Sequence, residues 1–423
     1  MRVAVVHDWL YVLGGAEQVL REILRCYPNA DVFTLFDVLT PEDRAKIGFE
    51  KAHTSFLQKM PKIRKYHRSY LPLMSIAIEQ FDLSSYDLVI SSSYAVAKGV
   101  ITGPNQLHIS YVHSPMRYAW DLQHAYLNES GYTAGIKSAV ARALLHRMRI
   151  WDVRTAHGPD AMIANSNFVA KRIKKVYGRD VKVIYPPVTM SRQTVDQPSG
   201  GHFLAASRLV PYKKIEAVIR AFAELPDQKL VVAGHGPDAE RLKKMAGPNV
   251  SFVGFVSDEK LRELMGTARA FVFAAEEDFG IIVVEAQSEG APVLALGRGG
   301  ARETVSASPG RRTGMFFDSP NPKAIAECVR AFVAQEDSFS RSDCRARASE
   351  FSAERFRAEF TAFVSNQMNS FTGERRREPI GSVRNKLGFR RRWGDRDHSE
   401  RRPETPAALT SSPEHAVCSR ETG

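Results

Sequence analysis

Short runs of apolar, mostly β-branched or aromatic residues alternate along this chain with longer stretches in which apolar positions recur every three or four residues. Runs of the first kind are too short for helices and predict strands covered on both faces; stretches of the second kind predict helices with one apolar stripe. Residues 2–6, 31–36, 88–91, 109–112, 162–164 and 183–185 form one set of predicted strands, and 203–206, 230–233, 252–255, 271–274 and 293–296 a second. Strand and helix in regular alternation is the pattern of a parallel α/β sheet. Between the sets, residues 191–201 are polar and glycine-rich, which predicts a linker. The expected organisation is an N-terminal domain over 1–194, a second over 195–350, a closing helix over 351–372 that packs back on the first domain, and a tail over 373–423. A ligand is expected in the cleft between the domains, at the carboxyl ends of the strands.

Composition agrees. A chain of 423 residues with 43% hydrophobic content exceeds one ordinary core. Cys26, Cys328, Cys344 and Cys418 lie far apart, which argues against a zinc knuckle or a disulfide framework and for a reducing compartment. The N-terminal run turns polar at His7 and Asp8, too soon for a secretory apolar segment, and no apolar run reaches the roughly 18 residues of a spanning helix. A cytoplasmic protein, or one peripheral on the inner face of a membrane, is expected.

The net charge of +12 is unevenly spread: residues 373–423 carry twelve basic against eight acidic side chains, and this tail lacks the apolar periodicity that could bury a core, so disorder is expected there. In the rest, 59–71 interleaves Lys59, Lys62, Arg64, Lys65 and Arg68 with Tyr66 and Tyr70, and Lys137, Arg142, His146, Arg147 and Arg149 flank an apolar stripe of Ile136, Val140, Leu144, Met148 and Trp151. Such a surface suits anionic lipid, each nearby cation adding about 1 kcal/mol. No helix-turn-helix, RNP or zinc signature accompanies the charge, so nucleic acid is not the expected partner.

Candidate chemistry concentrates in the second half. Arg208 and Lys213 follow a predicted strand and precede a helix, where free backbone N–H groups and the helix dipole already favour an anion; two cations added there suggest a diphosphate. Glu277 and Glu285 stand eight positions apart, about two turns of a helix that begins near Gly280, so that both can face one ligand.

In this context the chain resembles retaining glycosyltransferase family 4, enzymes of GT-B fold that use nucleotide sugars. The resemblance rests on Glu277-Asp-Phe279-Gly280-Ile281 with Glu285, on Arg208 and Lys213, on Gly234-His-Gly236-Pro, on Gly299-Gly300-Ala-Arg-Glu303-Thr-Val with Thr313-Gly314, on Gly14-Gly15-Ala-Glu, and on His113-Ser-Pro-Met-Arg117-Tyr-Ala-Trp120-Asp121, which is similar to a segment of its bacterial mannosyltransferase branch. It runs from about residue 1 to about 370 and implies a GT-B fold, two Rossmann-like parallel α/β domains facing a cleft. It further implies that Arg208 and Lys213 neutralise a departing diphosphate without a metal or other cofactor. Glu277 would hold hydroxyls of the transferred sugar, Glu285 the ribose, and His113 the sugar or the reaction centre. Gly15, Gly234, Gly236 and the backbone of Phe279, Gly280 and Ile281 would line the nucleotide-sugar site. Tyr185-Pro-Pro departs from the family's usual turn at that point. The implied activity is transfer of mannose from GDP-mannose to a lipid-linked or polysaccharide acceptor in cell-surface polysaccharide or lipopolysaccharide synthesis, with attack on the face the leaving group departs from. Two other readings stay open: a nucleotide-sugar epimerase, against which stands the lack of an acid/base set beyond His113, and a noncatalytic polyanion- or membrane-binding protein, against which stand four intact charged residues.

Overall fold

The computed structural model describes residues 1–191, 200–308 and 310–377, with the side chains of 129 and 374–377 excepted. Most of the expected linker and nearly all of the expected tail lie outside the described residues. Met1–Arg375 forms one compact unit built on two parallel sheets.

The first sheet contains β1 (Val3–His7), β2 (Asp31–Thr34), β3 (His53–Thr54), β4 (Leu88–Ser93), β5 (Leu107–Val112), β6 (Ala161–Ala164) and β7 (Lys182–Val183) in the order β3-β2-β1-β4-β5-β6-β7. The second contains β8 (His202–Ala206), β9 (Lys229–Ala233), β10 (Val250–Gly254), β11 (Ala270–Phe273), β12 (Val293–Leu296) and β13 (Gly314–Phe317) in the order β10-β9-β8-β11-β12-β13. Every pairing is parallel. Central strands such as β1, β4 and β5 are buried at every position, which is why their sequences are mostly apolar, with serine and histidine as the polar exceptions. In each sheet the winding direction reverses beside the first strand, between β1 and β4 and between β8 and β11. That reversal opens a crevice at the carboxyl ends; Gly15 follows β1, Arg208 and Lys213 follow β8, and Glu277 follows β11, while His113 follows β5, one strand further along the first sheet.

Helix Gly15–Cys26 shows how the local sequence seats an element: Val19, Leu20, Ile23 and Leu24 are buried along one stripe, and Glu17, three residues after the N-cap, returns its carboxylate to the Gly14 N–H at 2.9 Å, satisfying a donor the helix leaves open. Two elements escaped the sequence pattern. β3 is two exposed residues, and β13 is four residues, Gly314–Phe317, that open on the Thr313-Gly314 pair and are too short for a clear strand pattern.

The chain returns to the first domain at its end. Helix Ala353–Arg377 inserts Phe356, Phe360 and Val364 into the core of Val3, Val5, Ile23, Ile90 and Ile109. Phe360 is fully buried, so Phe360→Ala leaves a cavity and should cost about 3–5 kcal/mol; guanidinium unfolding followed by tryptophan fluorescence should show a lower midpoint, whereas an unchanged one would mean that the helix adds nothing to this core.

Candidate functional site

The Arg208 turn is shaped by glycines beneath it. Ser207 and Leu209 are tied to the next turn by Ser207 N–H to Ala233 O at 3.1 Å and Leu209 N–H to His235 O at 3.0 Å. A Cβ at Gly236 would lie 2.2 Å from Leu209 O, and one at Gly234 1.9 Å from Ser207 O, distances that no side chain tolerates. Gly234 and Gly236 therefore let two backbones touch and hold the Arg208 turn; no ligand is needed to explain them. Arg208 itself is exposed and makes no ion pair among the described residues.

Past a single 3-10 turn, Pro211–Lys213, Lys214 adopts φ 58°, and helix Ile215–Ala223 begins. A lysine in the left-handed region is strained by about 1–2 kcal/mol. The kink leaves the preceding Lys213 paired with Glu277 across the crevice from β8 to the loop after β11. Burial and the neighbouring Arg117 push the Lys213 ammonium down to about 8, although the Glu277 carboxylate pulls the other way.

Gly280, at φ 81°, is the N-cap of helix Ile281–Ser288, so the helix starts where the sequence predicts and the positive φ explains the glycine. Phe279 turns inward against Tyr185 and Phe351, with ring centroids 5.7 and 5.5 Å away, and anchors the loop. Ile281 faces the first domain: a Cβ on Gly15 would lie 2.6 Å from Ile281 Cδ1. Glu285 takes different partners from Glu277, accepting from Gln18 of the Gly15–Cys26 helix with Arg262 nearby, and burial raises its carboxyl pKa above the ordinary value. The two glutamates thus share one loop and helix but not one set of contacts.

His113 ends β5. Its Nε2 lies 2.9 Å from Ser92 Oγ, and burial, aided by the nearby His7, drives its pKa down to about 3, so the ring is neutral at physiological pH.

Several residues that bring the domains together were absent from the sequence-derived site. Asp278 accepts from Arg117 at 3.2 Å and Arg172 at 2.5 Å, and Arg172 also pairs with Asp121. Ser166 donates to Asp278 O at 2.6 Å. Glu303 accepts from the backbone N–H groups of Asn167 and Phe168, both at 2.8 Å, capping helix Asn167–Tyr177 from the other domain. Arg117, Asp121 and Glu303 stood inside quoted motifs, but nothing in their spacing shows a partner about 50 residues away for Asp121 and more than 100 away for the other two. Asp8, seen in the sequence only as a break in an apolar run, accepts the backbone N–H groups of Tyr94, Ala95, Val96 and Ala97 at 2.6–2.9 Å and shapes the turn after β4.

Comparison with known proteins fits this arrangement. The family model described as Glycosyltransferase Family 4 matches residues 13–192, and that described as Glycosyl transferases group 1 matches 192–351. The chain belongs to the family 4 glycosyltransferases of GT-B fold. Among curated relatives, the D-inositol 3-phosphate glycosyltransferase of a Nocardioides species is 29% identical over 229 residues, covering 45% of this chain and 49% of that one. The GDP-mannose-dependent alpha-(1-6)-phosphatidylinositol monomannoside mannosyltransferase of Mycobacterium tuberculosis is 26% identical over 229 residues, covering 47% and 57%. This chain thus spans about half the length of the curated relatives it matches. Anabaena HepE, solved in complex with UDP and glucose, superposes with a TM-score of 0.61 at 19% identity, covering 86% of this chain and 99% of that one, a likeness of fold.

Two outcomes follow. Asp278→Asn removes the charge shared by Arg117 and Arg172, leaving two poorly solvated cations; stability should fall by about 2 kcal/mol and solution scattering should report a larger radius of gyration, while an unchanged radius would show that the domains are held elsewhere. Because Lys213 loses its proton as pH rises through about 8, affinity for a nucleoside diphosphate should weaken above that pH by calorimetry. Lys213→Arg, which stays charged, should abolish the alkaline limb.

Proposed function

We propose that this protein is a retaining glycosyltransferase that transfers mannose from GDP-mannose to a lipid-linked or polysaccharide acceptor of the cell surface. The observation that carries the reading is the convergence of Arg208, Lys213, Glu277 and the Gly280–Glu285 helix start on the crevice where the second sheet reverses, opposite Gly15 and Arg117 of the first domain.

During sugar transfer the bond from the anomeric carbon to the diphosphate breaks, and an acceptor hydroxyl oxygen takes its place. Negative charge grows on the leaving phosphate while the ring becomes oxocarbenium-like. Arg208 and Lys213 neutralise the phosphate, the guanidinium through two parallel hydrogen bonds. Lys213 first releases Glu277, which then accepts from sugar hydroxyls; Glu285 takes the ribose. The hydroxyl approaches beside the leaving group, whose oxygen receives its proton, so that no protein nucleophile is required. The two cations take the place of a metal ion.

GDP-mannose is preferred to UDP-glucose because the mycobacterial relative carries GDP-mannose in its name and the 113–121 segment is similar to the mannosyltransferase branch. For the acceptor side, Lys59, Lys62, Arg64, Lys65 and Arg68 are exposed beside a half-exposed Tyr66. In helix Gly135–Thr155, Ile136 and Val140 are exposed whereas Met148 is buried, so the apolar stripe meets solvent only in its first half. Helix Leu71–Glu79 joins the two patches through Glu79, which accepts from Trp151 at 2.7 Å. Cations around bare apolar side chains suit an anionic membrane face. No helix among the described residues is long and apolar enough to cross a membrane.

Incubation with GDP-mannose or UDP-glucose, with and without membrane extract, tests the reading by nucleotide release. Acceptor-dependent GDP release supports it, acceptor-free isomerisation of the sugar replaces it with an epimerase, and vesicle binding without turnover replaces it with a noncatalytic role. Arg208→Ala should lower kcat by about 10²–10³ with the fold intact by circular dichroism, whether or not EDTA is present.

A further inference from the structure

Behind His113 runs a chain of polar groups that the proposed reaction does not use. Ser92 Oγ, at the end of β4, lies 2.9 Å from His113 Nε2 and 3.1 Å from His7 Nδ1 at the end of β1. The other nitrogen of His7, Nε2, faces Glu17 Oε1 at 3.6 Å. His7 and Ser92 are fully buried and Glu17 nearly so, at 6% exposure. The Glu17 oxygen that does not face His7 accepts the Gly14 N–H at 2.9 Å, which fixes the carboxylate with its other oxygen toward the His7 ring.

Each link has a direction. The approach of Glu17 is longer than a hydrogen bond, and His7 Nε2 has no hydrogen-bond partner among the described residues. A carboxylate 3.6 Å away still attracts an N–H and repels a lone pair, so electrostatics places the proton of His7 on Nε2, toward Glu17. That makes His7 Nδ1 an acceptor, and the single hydroxyl proton of Ser92 must point to it. Ser92 Oγ is then left with lone pairs for His113, whose own proton must lie on Nε2. The remaining ring nitrogen, Nδ1, carries a bare lone pair. The low pKa of His113 agrees, because it keeps the second nitrogen unprotonated. In the neighbouring pair on the opposite face of β4, Ser91 with His108 at 2.9 Å, the other ring nitrogen of His108 is buried without a hydrogen-bond partner among the described residues, and the nearby Asp160 carboxylate accepts the His108 backbone N–H instead.

We infer that Glu17, His7 and Ser92 are positioning residues that fix the tautomer of His113, so that Nδ1 presents an acceptor selecting a saccharide hydroxyl and rejecting a carboxylate at the same place. The inference rests on the proposed glycosyl transfer for its consequence but not for its geometry. A donor hexose supplies an O–H to Nδ1. A hexuronate presents only lone pairs there and is repelled, since a buried acceptor left facing another acceptor costs about as much as a lost hydrogen bond or more.

Nitrogen-15 spectra of the full-length protein test the geometry without any assay, the His113→Asn variant assigning its signal among the 12 histidines. The expected wild-type result is a protonated Nε2 and an unprotonated Nδ1 between pH 6 and 8. In Ser92→Ala, and independently in Glu17→Gln, the signal should move toward a mixture of tautomers. A wild-type proton on Nδ1, or a signal unmoved in both variants, overturns the inference whatever the enzyme turns over. The consequence is read with GDP-mannose and GDP-mannuronate: kcat/KM for the hexose should fall about tenfold in Ser92→Ala, with the preference over the uronate narrowing by a similar factor. Equal losses for both donors would assign the serine a merely structural role. Absence of turnover with either donor in the wild type would remove the proposed function and leave the tautomer assignment standing.

Discussion

Neighbouring acids in one loop, Glu277 and Asp278, hold the crevice in the form described here. Glu277 pairs within its own domain, with Lys213, while Asp278 reaches across to Arg117 and Arg172. All five side chains are mostly shielded from water, the most open being Arg117 at 23% exposure. In such surroundings a charge without a partner is costly, so the pairs behave as a set. An anion that claims Lys213 frees Glu277, and one that also draws on Arg117 loosens the grip of Asp278. The pair that faces the crevice and the pairs that clamp the domains thus sit side by side in one loop, so a change in one set of charges is felt by the other.

The central part of the architecture was legible because parallel strands covered on both faces are largely apolar, and helices one side of which faces such a sheet are apolar every three or four residues. β1, β4, β8 and β12 came out within two residues at either end, and the start of helix Ile281–Ser288 was readable from Gly280. β3 and β13 were not, since two exposed residues have no pattern and a glycine-led edge strand looks like a turn. Gly234 and Gly236 were recognisable as important from sequence, but their contact with the backbone of Ser207 and Leu209 was not, because a missing Cβ does not announce what occupies its place.

For the site, the sequence pointed to Lys213 and Glu277 and the fold brings them together. It pointed to Glu277 and Glu285 as a pair, and the fold gives them separate partners. Arg172 and Asp8 passed as ordinary charges in a chain with 25% charged residues, and Asp278 and Glu303 stood in motifs whose spacing gave no sign of their partners. Their partners are close in space through β-sheet order and domain apposition, neither of which leaves a trace in local spacing. The stripe in helix Gly135–Thr155 was read as uniform, whereas Met148 lies in the core and Ile136 stands free. Periodicity reports a face and does not say how far along the helix its cover extends.

The polypeptide passes between the domains twice, and the two passages are stitched together: Val188 pairs in parallel with Ser352, and the Val188 N–H donates to Phe351 O at 2.9 Å. A body joined to another by one strand of chain can swivel in any sense, but one joined by two adjacent, mutually bonded strands has lost most of that freedom. What remains is a swing about the line through the doubled crossing, like a door on a pair of pins. In such a swing the parts furthest from those pins would sweep the widest arc, and the residues beside the crossing the smallest.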